Sequence, residues 1–167
     1  DRGIGAAPEE RHRVAWLFAL PLFDLGIVKW MQEEHGAVVV TDTFGMVSKD
    51  IELDPEDPIS FMAQKASKMG FIKLGWAPNE TSKATETMAN LAVEYQANCV
   101  IVLAHWSCRQ YCGTIKLLRD AVAKQAGVPF LTLDGDLLDP RVVSSATMKQ
   151  KIGEFLNLLE SRTASVG

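Results

Sequence analysis

The segment CVIVLAHWSCRQYC, residues 99–112, decides the fold of this chain. Its first six residues are continuously apolar, which indicates a short strand that is buried on both faces, as in a parallel sheet. The segment then turns polar at His105, and an amphipathic helical pattern follows over residues 113–125. This order of strand, loop and helix is typical of α/β proteins, and it places a thiol, that of Cys108, just past the end of a strand.

Three other apolar runs have the same character, at residues 14–20, 37–40 and 129–133. Helical periodicity or helix-start signals separate them, and we predict helices at residues 25–34, 59–69, 82–96, 113–125 and 145–161. Gly36 and Gly127 stand where C-terminal caps are expected. The pattern predicts a doubly wound, flavodoxin-like α/β domain, with a parallel sheet of about four strands and helices on both faces. Loops 41–57 and 70–81 have room for short extra elements.

Length and composition favour one globular domain: the chain has 167 residues, of which 47% are hydrophobic and 23% charged. We assign residues 1–13 to a linker, 14–161 to a single domain and 162–167 to a tail. The net charge of -4 argues against nucleic acid as a partner. Because the chain has no long apolar run and only three cysteines, we expect a cytoplasmic protein without a membrane span or disulfides.

The most informative candidate site follows the third strand. In a doubly wound sheet, ligands bind outside the carboxyl ends of the strands, where residues 21–24, 105–112 and 134–139 should meet. A helix N-terminus and the neighbouring Arg109 favour the thiolate form of Cys108, which is the form that attacks substrates or binds metals. Cys112 does not form a C-x-x-C motif with Cys108, although a conditional disulfide is conceivable. Cys99 begins a strand and is predicted to lie in the core.

Two further interpretations of this edge are open from the residues alone. His105 can serve as a general base for Cys108, but no third group that would orient it is obvious. A small acidic cluster after the fourth strand suits either Mg²⁺ or, more often in such loops, turns and helix caps. Its members are Asp134, Asp136 and Asp139.

Several segments taken together resemble the C-terminal part of the 2-hydroxyacyl-CoA dehydratase and benzoyl-CoA reductase family, in particular its D-component type. They are HxxCR after a buried strand, LLRDAVAKQAGVPFLTLDGDLLDPRVVS, KIGEFLNLLE, and the opening RVAWLFALPLFDLGIVKWMQEEHGAVVVTDT. The resemblance covers residues 11–161, and the order and spacing of the segments carry it. It implies that the chain is the C-terminal domain of a longer subunit.

For the whole protein, the resemblance implies a two-domain subunit that pairs with a related subunit and holds a 4Fe-4S cluster through three cysteines. Cys108 matches the one ligand that the C-terminal domain supplies, while His105, Ser107 and Arg109 match positions beside the cluster or the substrate. The implied activity is radical dehydration of a 2-hydroxyacyl-CoA, with electrons from an ATP-dependent activator protein; benzoyl-CoA reductase-type ring reduction is the alternative. With one ligand present, this chain alone is expected to hold no cluster and to be inactive.

The sequence departs from the family pattern at Trp106, Cys112 and Lys151, which differ from the residues expected there, and it lacks the glutamate that usually precedes the last of these. These departures leave the acyl group of the substrate open. Two interpretations from other classes compete with the family resemblance. One is a stand-alone flavodoxin-like binding or interaction domain without a cluster, and the other is a thiol hydrolase that uses Cys108 and His105.

Overall fold

The computed structural model describes Ala7 and residues 9–43, 54–68 and 81–164. Four parallel strands form one sheet in the order β2-β1-β3-β4: β1 His12–Trp16, β2 Ala37–Asp42, β3 Cys99–His105 and β4 Phe130–Gly135. Five helices lie in the described part of the chain: α1 Gly26–His35, α2 Pro58–Lys68, α3 Thr81–Glu94, α4 Arg109–Gln125 and α5 Ser145–Ala164. The predicted doubly wound α/β fold is confirmed.

The core has two layers, one on each face of the sheet. Helices α1 and α5 cover one face, where their buried residues pack on alternate strand residues: Ile27, Met31, Met148, Ile152 and Leu156 against Val14, Trp16, Ile101 and Leu103. Helices α3 and α4 cover the other face in the same way: Met88, Ala89, Leu118 and Val122 against Ala15, Val100 and Val102. Both faces of β1 and β3 are therefore buried, which explains why residues 14–16 of β1 and 99–104 of β3 are apolar without alternation.

The first strand ends earlier than its sequence predicts. The apolar run at residues 14–20 predicted one strand, but β1 spans His12–Trp16 and the chain then leaves the sheet. The N–H of Leu17 still donates to Ile101 O at 3.0 Å, whereas Phe18 has a φ of 84°, which is incompatible with a strand. The N–H of Phe18 donates to Thr43 Oγ1, and Trp16 Nε1–H donates to Ala19 O at 2.9 Å. One local bond and one tertiary bond therefore hold the chain outside the sheet, and the sequence does not announce the tertiary bond to Thr43.

Other boundaries differ by a few residues. Strands β2 and β4 each extend two residues past their predicted ends, and α4 begins at Arg109 rather than at residue 113. Gly36 has a φ of 56° and its N–H donates to Met31 O, so it caps α1 as predicted. Gly127, at a φ of 65°, follows α4 in the same left-handed conformation. The extra elements considered for loops 41–57 and 70–81 fall mostly outside the described residues.

Three loops meet at the carboxyl edge of the sheet. The β3 loop is joined to β4 because the N–H of Trp106 donates to Gly135 O at 3.0 Å. The β1 loop reaches the β4 loop, where the N–H of Phe23 donates to Leu137 O at 3.2 Å. Since β1 and β3 are neighbours whose following helices lie on opposite faces, this edge contains the topological switch point at which such folds bind ligands.

Across the residues that the structure describes, we find no helix with the length and apolar character of a membrane span.

Candidate functional site

The turn after β3 places Cys108 at the N-terminus of α4. The N–H of Cys108 donates to His105 O at 2.8 Å, which closes a tight turn at the strand end. Its carbonyl accepts from the N–H of Cys112 at 3.0 Å, which begins the helical hydrogen bonding. Cys108 is thus the N-cap residue of α4, but its side chain makes no capping hydrogen bond. The predicted position of the thiol, between a strand end and a helix start, is confirmed.

The three thiols lie in different environments. Cys99 is completely buried at the start of β3, and burial raises its pKa to about 12, so it is a core residue as predicted. Cys112 lies one helical turn beyond Cys108, and its thiol donates to His105 O at 3.2 Å. Burial first, and then the neighbouring Cys108 and Asp134, raise the pKa of Cys112. Cys112 is therefore a hydrogen-bonded thiol, while the half-buried Cys108 makes no side-chain hydrogen bond to the described residues.

Tyr111 anchors the start of α4 to the end of β1, and sequence reasoning missed it. Its hydroxyl donates to Leu17 O at 3.2 Å, and its ring stacks on Phe18 with 3.6 Å between centroids and 15° between planes. Burial is the main reason that the pKa of this phenol is raised well above its usual value. Because Tyr111 lies between the two edge cysteines in sequence, this anchor fixes where Cys108 lies relative to the switch point. Tyr111 was missed because the helix was predicted to begin only at residue 113, whereas it begins at Arg109.

His105 has an orienting partner that was not expected from the sequence. Its Nδ1 lies 3.2 Å from Asp136 Oδ2, and the Ser107 hydroxyl donates to the same carboxylate oxygen at 3.0 Å. The strands bring these residues together, since His105 is the register partner of Gly135, which immediately precedes Asp136. No third group beside His105 was obvious from the sequence, and the fold places the Asp136 carboxylate there. No local pattern signals the pairing, because the two residues follow different strands and a whole helix lies between them in the chain.

The acidic cluster consists of turn and ion-pair carboxylates. Asp136 Oδ1 accepts from the N–H groups of Leu138 and Asp139, at 2.9 and 3.1 Å, and these bonds, with that of Leu138 the largest cause, lower the pKa of Asp136. Hydrogen bonds from Arg141 lower the pKa of Asp139 to about 2. Asp134 is exposed on β4, 3.9 Å from Lys151 Nζ. The turn-forming interpretation is therefore confirmed, and no set of three metal-binding side chains occurs among the residues described.

Exposed side chains occur on all three loops of this edge. Arg109, the first residue of α4, is exposed and makes no ion pair with any described residue. Trp106 is 61% exposed and Leu138 is 70% exposed, and Leu22 and Leu25 in the β1 loop are also more than half exposed. We call these four apolar residues the apolar rim. An apolar rim beside a polar loop at a switch point is typical of a site that binds an organic ligand or a second protein surface.

Together, the sheet order and the loop contents define a class: a doubly wound α/β domain with a cysteine thiol at its ligand-binding edge. The family described as 2-hydroxyglutaryl-CoA dehydratase, D-component, matches residues 1–159, and the chain belongs to this family. One of the benzoyl-CoA reductase subunits of Thauera aromatica is 25% identical over 134 residues, which is 77% of this chain. The family resemblance drawn from the sequence is confirmed. The aligned region spans only 29% of that relative's length.

Proposed function

We propose that this chain is the C-terminal domain of an acyl-CoA dehydratase or reductase subunit, in which Cys108 supplies one thiolate ligand to a 4Fe-4S cluster. The family membership supports the coarser part of the proposal. The observation that carries the finer part is the position of the Cys108 thiol, half-buried at the switch point and without a hydrogen bond to the described residues. Neither of the other two thiols combines these properties, because one is in the core and the other bonds a carbonyl.

The surroundings of Cys108 suit a ligand that carries negative charge. The N-terminus of α4 carries a partial positive charge, and Arg109 adds a full one. A single thiolate does not hold a cluster, so the remaining cysteine ligands must come from a part of the subunit other than the residues described here. When bound, such a cluster supplies single electrons to an acyl-CoA thioester. An ATP-dependent activator protein and a related second subunit are the partners that we propose for this chemistry.

The residues around the thiol have separate roles in this proposal. His105 faces the ligand beside Cys108, and Arg109 provides a guanidinium for the phosphate or thioester oxygens of an acyl-CoA. The apolar rim excludes water from the edge and contacts the acyl group. Because the rim is apolar on three loops, we favour an acyl group without a distal charge. The reaction that we favour is dehydration of a 2-hydroxyacyl-CoA, with ring reduction as the alternative.

The test is anaerobic purification of the full-length subunit together with its partner subunit. We expect a brown protein with the visible absorbance of an iron–sulfur cluster, and turnover of a 2-hydroxyacyl-CoA that depends on ATP and the activator. Turnover of an aromatic acyl-CoA instead would favour ring reduction. A colourless protein without iron would overturn the proposal and favour a binding or interaction domain.

A thiol hydrolase is the second candidate, and the Asp136 carboxylate 3.2 Å from His105 Nδ1 favours it, since catalytic histidines commonly have a carboxylate beside this nitrogen. Against it, Cys108 and His105 form no side-chain hydrogen bond in the structure. Such a bond is often longer before the substrate binds, so the two candidates need an experiment. Metal-free protein that hydrolyses acyl-CoA, and that one equivalent of iodoacetamide inactivates at Cys108, would identify the hydrolase.

A further inference from the structure

The His105 side chain lies between two groups that require opposite protonation of the same nitrogen. Asp136 Oδ2 lies 3.2 Å from Nδ1 and requires a proton on it, because a carboxylate only accepts. The N–H of Leu137 points at Nδ1 over 3.3 Å and requires a lone pair there. One imidazole nitrogen cannot satisfy both groups. The tautomer of His105, and therefore what its other nitrogen offers, depends on which partner prevails.

Charge favours Asp136 as the partner, because a lone pair on Nδ1 would face the carboxylate oxygen at 3.2 Å. A hydrogen bond to an ionised carboxylate is roughly twice as strong as one between neutral groups. The carboxylate is fixed, because backbone N–H groups of the following turn hold Oδ1 and Ser107 holds Oδ2. Those bonds, the one from Leu138 first, keep the pKa of Asp136 below its usual value, so it is ionised at neutral pH. Both contacts to Nδ1 are long, at 3.2 Å from Asp136 Oδ2 and 3.3 Å from Leu137 N, so the charge and not the distance decides between them.

We propose that Asp136 is a positioning residue that holds His105 in its Nδ1–H tautomer, so that Nε2 presents a lone pair to the open carboxyl edge beside Cys108. The imidazole is 18% exposed, and Nε2 makes no hydrogen bond to any described residue. Ser107 changes role as a consequence. Its hydroxyl proton points at Asp136, so Ser107 supports the pair and is not a substrate-facing donor.

The tautomer has a consequence for the substrate, and this step rests on the proposed function. A lone pair at Nε2 accepts a hydrogen bond from a hydroxyl group, whereas the opposite tautomer would donate one to an oxygen. The 2-hydroxyacyl thioesters carry such a hydroxyl next to the thioester, and an aromatic acyl group without substituents does not. Asp136 would therefore select hydroxylated acyl thioesters through His105, without touching them.

The tautomer can be read directly by NMR on the 167-residue chain. Long-range ¹H–¹⁵N correlation of the imidazole rings distinguishes a protonated from an unprotonated nitrogen, and only three histidines occur in the chain. His105→Gln assigns the signals by removing one set. At a pH where the ring is neutral, we expect Nδ1 of His105 to be the protonated nitrogen. A neutral ring with the proton on Nε2 would overturn the proposal.

A matched pair of variants tests whether Asp136 sets the tautomer. In Asp136→Asn the charge is gone, and we expect the Nε2–H tautomer to predominate. In Asp134→Asn an exposed carboxylate two residues away is removed, and we expect no change. A tautomer that is unchanged in Asp136→Asn, in a variant whose amide spectrum shows a folded chain, would contradict the role of Asp136. If that variant does not fold, the wild-type ring signals still decide between the two tautomers.

The consequence for the substrate is tested in the full-length subunit. We expect Asp136→Asn to keep its iron but to lose about tenfold or more in kcat/KM for a 2-hydroxyacyl-CoA, as is common when a supporting residue is changed. Unaltered kcat/KM would overturn the substrate step. Failure of the proposed function looks different, because the protein would then lack iron from the start, while the ring signals of the 167-residue chain would still report the tautomer.

Discussion

The two edges of the sheet use their polar residues in different ways. At the amino edge the charged groups are paired: Arg11 lies 2.8 Å from Glu160, the buried His12 contacts the same carboxylate at 3.3 Å, and Arg13 donates to Tyr95 O at 2.8 Å. At the carboxyl edge, the Cys108 thiol and the Arg109 guanidinium make no such bond within the described residues.

The difference separates residues that hold the fold from residues that are available for chemistry. At the amino edge, these bonds tie β1 and the residue before it to α5 or to the residues that follow α3, so the side chains there are committed to stability. At the carboxyl edge, the committed residues are Tyr111 and Asp136, which position their neighbours. The neighbours that they position are Cys108 and His105. The Cys108 thiol and His105 Nε2 make no hydrogen bond to any described residue. The predictions below test this division, from the largest expected effect to the smallest.

Two aromatic residues of the β3–α4 segment should differ most in stability. Tyr111 is buried and stacked on Phe18, so Tyr111→Ala should lower the free energy of unfolding by about 3–5 kcal/mol. Trp106 is mostly exposed, so Trp106→Ala should change it by less than about 0.5 kcal/mol. Urea unfolding of both variants measures the difference. A similar loss of unfolding free energy in the two variants would mean that Trp106 stabilises the fold. Trp106 would then not count as a ligand-facing residue of the apolar rim.

Cys99 tests the core end of β3. Cys99→Ser places a hydroxyl in an apolar site, which costs about 1–3 kcal/mol when the group has no partner. Cys99→Ala is the matched control, since it adds no polar atom, and we expect it to be less destabilised. Thermal unfolding of the pair gives the comparison. Equal stability of Cys99→Ser and wild type would show that polar groups are tolerated at the start of β3.

The two arginines test the edges directly. Arg13→Ala removes bonds to the carbonyls of Tyr95 and Gln96, and a loss of about 1 kcal/mol is expected for this partly exposed group. Arg109→Ala removes no bond to a described residue and should leave the unfolding free energy unchanged. In the full-length subunit we expect Arg109→Ala to raise the KM for an acyl-CoA. If Arg109→Ala is less stable than Arg13→Ala, the carboxyl edge contributes to stability as well, and the contrast between the two edges is wrong.

The smallest effect on stability is expected for Asp139→Asn, and it should appear only at acidic pH. Asp139 has its pKa lowered to about 2 by Arg141, so its folded pKa lies below that of the unfolded chain. The stability that this pair contributes is complete above the usual aspartate pKa, and it is lost as the pH falls from about 4 to about 2. Asp139→Asn should therefore reduce the pH dependence of the unfolding midpoint in this window only. A variant with the same acid dependence as wild type would exclude Asp139 as a contributor.

Part of this architecture was predictable because its signal is local. The buried strands are short apolar runs, the helices between them have a regular period, and a thiol after a strand end must lie at the ligand-binding edge of a parallel sheet. The end of β1 was not predictable, because it depends on a bond from Phe18 to Thr43, which lies 25 residues away. The sequence predicted that residues 105–112 and 134–139 meet at this edge, but not which side chains pair there.

What joined those residues is the register between β3 and β4. This register places Asp136 beside His105, and neither strand's sequence specifies it. The exposure of Trp106 and Leu138 was also hidden, because a sequence does not show which apolar residues near a strand end remain uncovered. The local signals therefore located the candidate site, and the tertiary pairing determined how its histidine is oriented.

We propose above all that Cys108, and not its neighbour one helical turn away, is the cluster ligand. The direct measurement is the iron content of the full-length subunit in Cys108→Ser and in the matched control Cys112→Ser, both purified anaerobically. We expect iron to be lost in Cys108→Ser and kept in Cys112→Ser, because the Cys112 thiol is hydrogen-bonded to His105 O. Full iron content in Cys108→Ser would contradict the account.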